Sequence, residues 1–338
     1  MHPVLRLIHQ RALEGSRPGS RRDGFKLGLA VEGGGMRGVV SGGMLITLEQ
    51  LGLRDVFDAV YGSSAGAINA AYFIAGQCTS CGSIYYEDVC DRRFINPLRR
   101  LAGKPVMSLD YLLDQVMTEV KPLDWEAVIA SPVRLKILAT SLKRLSTVVF
   151  DDFKSRDELF LALRATATIP ILAGPPVSLN QDHFLDAAVF ESIPFPTAIN
   201  DGCSHVLALR TRPDGVLRSG PSFLERLFIV RGLSRLRPGL EKVYLNCALA
   251  YAEEVKRLTE ASRNPSGPPY LLAISLPAGT PLVGRLERRR SRLIAGAIQG
   301  AKAALKTLTG QTGQVREVVG IFLEKGRWAR GGFSFKVN

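Results

Sequence analysis

Apolar and polar positions change period several times along the first 75 residues. Residues 25–31 carry apolar side chains at alternate positions, which predicts a β-strand. Apolar residues then recur at helical spacing until Gly52, which can end a helix. A short strand is predicted to end at Tyr61, and the Ala- and Ile-rich residues 65–75 predict a buried helix. This alternation of strands, loops and helices is typical of a parallel, doubly wound α/β sheet.

The pattern continues less regularly along the rest of the chain. Helices are predicted over residues 85–100 and 109–120, in an insertion or cap, and further strands and helices are predicted at 133–140, 159–163, 183–186, 205–209, 270–276 and 285–308. We expect a basic, loosely ordered arm over residues 1–23, a core over 24–215, and an extension over 216–338 that packs on the same domain.

Composition narrows the class of protein. With 46% hydrophobic and 22% charged residues among 338, the chain is globular and not disordered. A net charge of +13 indicates an anionic partner, which could be a phospholipid surface, a nucleic acid or an acidic metabolite. Five cysteines in this length are too few for a disulfide scaffold and indicate a reducing compartment.

Two segments bear on metals and membranes. Cys78 and Cys81 form C-x-x-C with Cys90 nearby, but a zinc site needs a fourth ligand that the neighbouring sequence lacks, so free thiols and no metal are predicted. The N-terminus has no apolar signal core, and no apolar run approaches the ~18 residues of a spanning helix. These features predict a cytoplasmic protein that is at most peripheral to a membrane.

The segment Tyr61-Gly62-Ser63-Ser64-Ala65-Gly66 has the pattern G-x-S-x-G between a predicted strand and a predicted helix. A serine there suits a nucleophile elbow, a tight turn that raises the Ser64 hydroxyl at the end of the strand. The turn requires small residues beside the serine, which Gly62 and Gly66 supply. The alternative is an ordinary Gly/Ser turn, because the pentapeptide also arises by chance.

Gly33, Gly35 and Gly38 form G-x-G-x-x-G between a strand and a helix. A dinucleotide-binding loop has this pattern but needs an acidic residue about 20 positions later, after the second strand. Asp58 has that spacing but precedes the end of the strand. We therefore predict no nicotinamide or flavin cofactor, and an oxyanion hole in which the Gly34 and Gly35 N–H groups hold a developing negative oxygen.

An activated serine needs a base. The chain has 4 His, of which two lie in the predicted arm, His205 begins a strand, and His183 precedes the end of one, so a Ser-His-Asp triad is poorly supplied. Asp186 ends a strand and is followed by two small residues, which lets its carboxylate take the serine proton directly. For an isolated aspartate, the competing interpretation is a turn cap.

Taken together, the segments 32–38, 62–66 and 186–188 resemble the ordered motifs of the patatin-like phospholipase family, and residues 164–170 and 191–194 resemble further family segments. The resemblance covers about residues 25–210. It implies a three-layer α/β/α fold around a mostly parallel sheet, with residues 24–215 as the catalytic core. It also implies hydrolysis of lipid acyl esters by a Ser–Asp dyad without a metal. By position, Ser64 is the nucleophile, Asp186 is the base, and the oxyanion loop consists of Gly33, Gly34, Gly35, Met36, Arg37 and Gly38.

The chain departs from the family pattern at two positions. Glu32 stands where the family often has Asp, and Ala187 stands where the third motif usually has Gly. If that position required φ > 0, Ala187 would cost about 1 kcal/mol or more and would disturb the aim of Asp186. This motivates a second hypothesis, a catalytically weak or silent lipid-binding or scaffold protein on the same fold.

The basic residues fall in three clusters mixed with Leu, Phe and Ile. These are Arg92, Arg93, Arg99 and Arg100; Arg226, Arg231, Arg235 and Arg237; and residues 288–292. Such mixtures suit an anionic bilayer surface, and a solvated basic face is the alternative. The predicted partners are an acyl lipid or phospholipid substrate and an anionic membrane. No nucleic acid is expected, because no binding motif is recognisable and aromatic content is 7%.

Overall fold

A single mixed sheet organises the computed structural model, which describes residues 1–170, 172–218, 220 and 229–310. Within these residues the strands are β1 (Leu27–Val31), β2 (Ala59–Ser63), β3 (Arg134–Ser141), β4 (Ser146–Phe150), β5 (Val177–Leu179), β6 (Asp182–Asp186), β7 (His205–Pro213) and β8 (Tyr270–Leu276). The order is β5-β6-β3-β2-β1-β7-β8, and β4 pairs with β3. The central run β3-β2-β1-β7-β8 is parallel, whereas β4, β5 and β6 pair antiparallel, so the predicted mostly parallel sheet is confirmed.

Helices cover both faces of this sheet. They are α1 (Pro3–Leu13), α2 (Val39–Gln50), α3 (Ala65–Ile74), α4 (Cys78–Cys81), α5 (Ile84–Glu87), α6 (Trp125–Ile129), α7 (Arg156–Ala167), α8 (Phe195–Asn200), α9 (Arg231–Leu236), α10 (Leu240–Arg263) and α11 (Arg290–Thr309). Successive side chains of a strand point to opposite faces. Accordingly Leu29 of β1 packs in the core with α2, α3 and α11, and Ala30 packs in the core with α8 and α10. The fold is the expected three-layer α/β/α arrangement.

The predicted loose arm is wrong, because its first half is a packed helix. In α1, Val4 and Ile8 join the main core, and the Arg11 side chain is 0% exposed. Arg11 pairs with Asp23 (2.7 Å) and Asp58 (2.8 Å), so its buried charge is neutralised. The sequence did not predict these ion pairs, because nothing in the basic composition of residues 1–23 distinguishes the buried Arg11 from a solvated arginine.

Other predicted elements differ in extent. The helix expected over residues 85–100 is replaced by α5 and a 3₁₀ turn, Pro97–Ala102, joined by loop, and a π-helix covers Tyr111–Val120. The predicted C-terminal helix begins five residues later than expected, at Arg290. Strand β8, which precedes this helix, pairs with β7 in the same sheet. Residues 311–338 of the predicted extension lie outside the described residues.

Candidate active site

Ser64 sits on a sharp turn between β2 and α3. Its backbone has φ 55° and ψ −129°, a conformation that L residues rarely adopt. The turn closes because both flanking glycines lie against backbone. A Cβ on Gly62 would lie 2.4 Å from the Cα of Ala67, and one on Gly66 would lie 2.3 Å from the Val31 carbonyl oxygen. The strained serine and its two glycines thus have the geometry predicted for a nucleophile elbow.

The Ser64 hydroxyl donates a hydrogen bond to the Asp186 carboxylate, with 2.6 Å between Oγ and Oδ2. Strand β3 brings the two residues together. In its register Leu138 is opposite Ser63 and the next residue, Ala139, is opposite Asp186. Two motifs that are 122 residues apart in the chain therefore meet at adjacent positions of one strand.

Three hydrogen bonds besides that from Ser64 hold Asp186 in place, one at its carboxylate and two at its backbone. Its Oδ1 accepts the Ala188 N–H (2.7 Å), its own N–H donates to the Thr168 carbonyl (2.7 Å), and its carbonyl accepts the Thr140 hydroxyl (2.9 Å). Ala187 begins a 3₁₀ turn and is not among the residues with positive φ. The strain considered for Ala187 is therefore absent, and alanine fits this position.

Burial raises the pKa of Asp186, and this is the largest influence on it. Hydrogen bonds from Ser64 and Ala188, and the nearby charges of Arg285 and Arg218, oppose that rise. A carboxylate whose pKa is raised is a stronger base than an ordinary aspartate, which suits it to accept the Ser64 proton.

The glycine loop lies directly against the elbow. A Cβ on Gly33 would lie 2.3 Å from the Ser63 carbonyl oxygen, and Gly34 (φ 133°) and Gly35 (φ 61°) adopt backbone conformations that favour glycine. Gly34 is the N-cap of the 3₁₀ segment Gly35–Gly38 and Gly35 is its first residue, and N–H groups at these positions have no partner within such a segment. Both line the pocket in front of Ser64.

The remaining members of the predicted oxyanion loop are arranged differently. The Met36 N–H donates to the Arg285 carbonyl (3.0 Å), and the Arg37 N–H donates to the Gly34 carbonyl (3.3 Å). Gly38 packs behind the elbow, where a Cβ would lie 2.9 Å from that of Ala65. The Met36 and Arg37 N–H groups thus already have acceptors. Gly34 and Gly35, in the first part of the loop, remain the candidate donors to an oxyanion.

Thr166 is a contact of the elbow that the sequence analysis did not identify. Its Oγ1 accepts the Ser64 N–H at 2.9 Å, and the residue is fully buried in the last turn of α7. In the sequence, residues 164–170 show only a resemblance to a family segment. The available signal was a threonine near the end of a predicted helix. Its contact with the Ser64 N–H could not be predicted, because that contact depends on how α7 packs on β2 and β3.

Glu32, the other departure from the family pattern, is buried beside the loop. Its carboxylate accepts hydrogen bonds from the Thr211 N–H (2.6 Å), from Arg212 (3.0 Å) and from the Tyr251 hydroxyl (3.0 Å). These contacts tie the start of the glycine loop to the end of β7 and to α10. Glu32 therefore anchors the start of the glycine loop through its carboxylate.

A pocket opens in front of Ser64 and Asp186, with about 1050 Å³ of empty volume when the open solvent at its mouth is included. One wall is apolar and is formed by Ile68, Ile84, Val89, Phe94, Met107, Leu109, Leu112, Ala167, Ile169, Leu172, Ala173 and Val189. The polar lining includes Glu32, Ser192 and four arginines, Arg37, Arg212, Arg218 and Arg285. The lining of the pocket in front of the reacting groups thus combines apolar side chains with four arginines.

The arginines of this lining are held by specific contacts. Arg212 pairs with Glu32 at 3.0 Å, and Arg218 donates to the Ala188 carbonyl (2.8 Å) beside Asp186. Burial, and after it the neighbouring Arg212 charge, lowers the pKa of Arg37 to about 9. An anion placed in this part of the pocket would offset that cost of burying like charges together.

The histidines lie elsewhere. His183 is exposed on β6, with its Nδ1 2.9 Å from the Ser178 hydroxyl. His205 begins β7, at the opposite end of the parallel strands from Ser64, and burial lowers its pKa to about 4. In the described part of the chain, no group of three or more His, Cys, Asp or Glu is placed to hold a metal ion.

Comparisons with known proteins identify a family. The model of the family "Patatin-like phospholipase" matches residues 29–199, a range that contains Ser64, Asp186 and the glycine loop. The Escherichia coli K12 protein YjjU, itself uncharacterized, is 27% identical over 214 residues, which cover 63% of this chain and 59% of YjjU.

More distant relatives match shorter regions. Human patatin-like phospholipase domain-containing protein 2 is 27% identical over 139 residues, which cover 40% of this chain and 26% of the human protein. The chain thus spans less than two thirds of the length of these curated relatives. The crystal structure of VipD from Legionella pneumophila aligns with a TM-score of 0.40 and 11% identity, over 85% of this chain and 67% of VipD.

Proposed function

Because the chain belongs to the patatin-like phospholipase family, we propose that it is a carboxylic ester hydrolase that releases fatty acids from lipids. Ser64 is the nucleophile and Asp186 is the base. The observation that carries this proposal is the 2.6 Å hydrogen bond from Ser64 Oγ to Asp186 Oδ2 at a strained elbow beside an apolar pocket wall. No third residue is needed to relay the proton.

The proposed reaction proceeds in two halves. As Ser64 Oγ bonds to the ester carbonyl carbon, its proton passes to the Asp186 carboxylate, and the Gly34 and Gly35 N–H groups hold the resulting oxyanion. The bond to the leaving alcohol then breaks, and the alcohol oxygen takes the proton from Asp186. In the second half, water gives a proton to Asp186 as it attacks the acyl-enzyme, and the fatty acid leaves while Ser64 regains its proton.

The apolar and cationic parts of the pocket lining support a phospholipid or lysophospholipid as the substrate. The apolar wall matches an acyl chain, and Arg212, Arg218 and Arg285 lie where a phosphate attached to the leaving alcohol could reach them. We expect lysophosphatidylglycerol to be hydrolysed with a higher kcat/KM than a monoacylglycerol with the same chain. Arg218→Met should reduce that preference by about tenfold to 100-fold, the size of a hydrogen bond to a charged group. An unchanged preference would remove the headgroup assignment and leave the esterase proposal intact.

A catalytically silent scaffold is the alternative that the sequence left open. Its motivation was strain at Ala187, and Ala187 lies in a 3₁₀ turn without positive φ. The close contact of Ser64 with Asp186 supports an active enzyme instead. We also propose peripheral attachment to an anionic membrane, because the net charge is +13 and the arginine clusters are mixed with apolar residues. No helix of the described residues is long and apolar enough to cross a membrane. Of the three basic clusters, Arg226 lies outside the described residues.

Turnover of a p-nitrophenyl acyl ester tests the proposal. Ser64→Ala should abolish turnover with little change in melting temperature, because it removes one oxygen atom from a buried turn. Ser63→Ala is the matched control, since the Ser63 hydroxyl donates to the Glu191 carbonyl (3.0 Å) and not to Asp186. Near-wild-type turnover by folded Ser64→Ala would overturn the assignment of the nucleophile. Lack of turnover by the wild-type protein on any acyl ester, together with no reaction with a fluorophosphonate, would favour the scaffold.

A further inference from the structure

An exposed apolar tip stands next to the pocket. The 3₁₀ turn Pro97–Ala102 is the end of an excursion whose two feet, Ile95 and Met107, pair with each other in an antiparallel bridge. Met107 lines the pocket, so the tip extends from the pocket wall itself. At the tip, Leu98 is 63% exposed and Leu101 is 88% exposed, the largest value among the large apolar side chains of the described residues.

A second segment, residues 282–292, lies on the same part of the surface although it is almost 200 positions away. Arg288 Nε donates to the Cys90 carbonyl (3.4 Å), and Arg290 Nε donates to the Tyr86 carbonyl (3.1 Å). Arg285 of this segment lines the pocket. Exposed leucines occur here too, at Leu282 and Leu286. Two basic clusters that are separate in the sequence are thus one surface beside the pocket.

Both segments are strongly cationic. Residues 91–104 contain five Lys or Arg and one acidic residue, and residues 282–292 contain five Arg and one acidic residue. Asp91 pairs with Arg93, and Glu287 pairs with Arg289 and Arg292, which leaves most of the positive charge uncompensated within the segments.

The arginines at the tip are oriented by backbone contacts. Arg99 donates to the Phe94 and Arg93 carbonyls, and Arg100 donates to the Lys104 carbonyl. Their charges therefore stay available to an external anion. A surface with exposed leucines among such arginines is complementary to an anionic bilayer, in which phosphates meet the guanidinium groups and acyl chains meet the leucines.

We propose that residues 91–104 and 282–292 form a membrane-docking surface that seats the pocket against an anionic bilayer. Leu98 and Leu101 insert among the acyl chains, and the arginines around them bind lipid phosphates. The proposal extends the lipid hydrolysis proposed above. The purpose of docking rests on that hydrolysis, whereas the docking surface itself does not. It predicts that the apolar contribution to binding is concentrated at one tip and is not spread over the basic surface.

Vesicle sedimentation of Ser64→Ala protein tests the surface without any turnover. Protein with the wild-type tip should bind phosphatidylglycerol vesicles at low salt and be partly released at high salt. It should bind phosphatidylcholine vesicles weakly. Leu98→Ser with Leu101→Ser should lower the partition coefficient at least ~10-fold, given the value of burying one leucine. Arg99→Ala with Arg100→Ala should weaken binding mainly at low salt.

Matched controls lie at the opposite end of the strands. Leu13 is 64% exposed, almost the same as Leu98, and belongs to α1, which Arg11 anchors to Asp58 just before β2. Leu13→Ser should leave vesicle binding unchanged, as should Arg17→Ala with Arg22→Ala. Unchanged binding after the tip leucines are replaced, or an equal loss from Leu13→Ser, would overturn the proposal. So would tighter binding to DNA than to phosphatidylglycerol vesicles.

Hydrolysis of a soluble p-nitrophenyl ester, measured with Ser64 intact, separates this proposal from the proposed function. Leu98 and Leu101 do not line the pocket, so their replacement should leave that turnover unchanged while it lowers hydrolysis of vesicle lipids. Vesicle binding that depends on the tip, without esterase turnover in the wild type, would overturn the proposed enzyme and keep the docking surface. Esterase turnover in the wild type, with vesicle binding that does not depend on the tip, would overturn the docking surface and keep the proposed enzyme.

Discussion

Asp186 reaches the Ser64 hydroxyl from a strand that runs antiparallel to its neighbour. Ser64 follows β2, which is parallel to β3, whereas Asp186 ends β6, which is antiparallel to β3. The two strands approach the same part of β3 from opposite directions, so their C-terminal ends meet at Leu138 and Ala139. This topology places a hydroxyl and a carboxylate 2.6 Å apart without any histidine.

Asp186→Asn should separate catalysis from stability. The amide keeps the shape of the side chain but cannot accept the Ser64 proton, so kcat should fall at least ~10³-fold, by analogy with removal of other catalytic bases. Because burial raises the pKa of Asp186, its ionised form destabilises the folded protein above that pKa, and the penalty fades as pH falls. At neutral pH the variant should therefore melt at the same or a higher temperature than the wild type, as scanning calorimetry would reveal. A lower melting temperature with equal loss of activity would point to a structural role.

The pH profile of ester hydrolysis should reflect the same carboxyl group. Activity requires ionised Asp186, so kcat/KM should fall at acid pH with an apparent pKa above the ordinary value of about 3.9. Arg285 lowers the pKa of Asp186, so Arg285→Met should move this limb to higher pH with an uncharged substrate. Lys104→Met removes a charge from an exposed residue that does not line the pocket, and it should leave the limb in place. A limb that stays unmoved by Arg285→Met would assign the titration to another group.

Histidine substitutions should leave most activity in place. His183 is exposed beside Ser178, and His205 begins β7, far along the strand from its catalytic end. We expect His183→Ala and His205→Ala to keep at least roughly half of wild-type kcat/KM in folded protein, since neither touches the reacting atoms. A folded variant as inactive as Ser64→Ala would make a histidine-containing triad the better account.

The sequence predicts the five parallel strands and the antiparallel strand β6, but it does not predict β4 and β5. Strands β1, β2, β3, β7 and β8 each contain a run of buried, largely apolar residues, which a sequence pattern predicts without knowledge of the partner strands. By contrast, β4 has no fully buried residue and β5 has only three residues, so periodicity gives little signal.

The site shows the same division. The two loops around Ser64 follow from local backbone demands, which only glycine meets at Gly34, Gly35, Gly62 and Gly66. Their pairing with Asp186 came from resemblance to a family and not from local pattern. The contact of Thr166 and the burial of Arg11 are tertiary, because each depends on an element distant in sequence.

Thr166 should act as a positioning residue for the elbow. Thr166→Val keeps its shape but leaves the buried Ser64 N–H without its acceptor, a cost of about 1–3 kcal/mol in the free energy of unfolding. We expect kcat to fall by about tenfold or more while KM changes little, because substrate does not contact this hydroxyl. Thr166→Ser retains the acceptor and should restore most of the activity. Equal losses in both variants would indicate that packing of the methyl group matters, and not the hydrogen bond.

The most direct test of the central claim is to locate the covalent adduct of an active-site fluorophosphonate by peptide mass spectrometry. The account predicts one adduct, on Ser64, whose stoichiometry rises in step with loss of ester hydrolysis. It also predicts that Asp186→Asn slows labelling, because the Ser64 Oγ then lacks the carboxylate that lies 2.6 Å away. An adduct on Ser63 or on a residue outside the elbow, or full loss of hydrolysis while Ser64 stays unmodified, would contradict it.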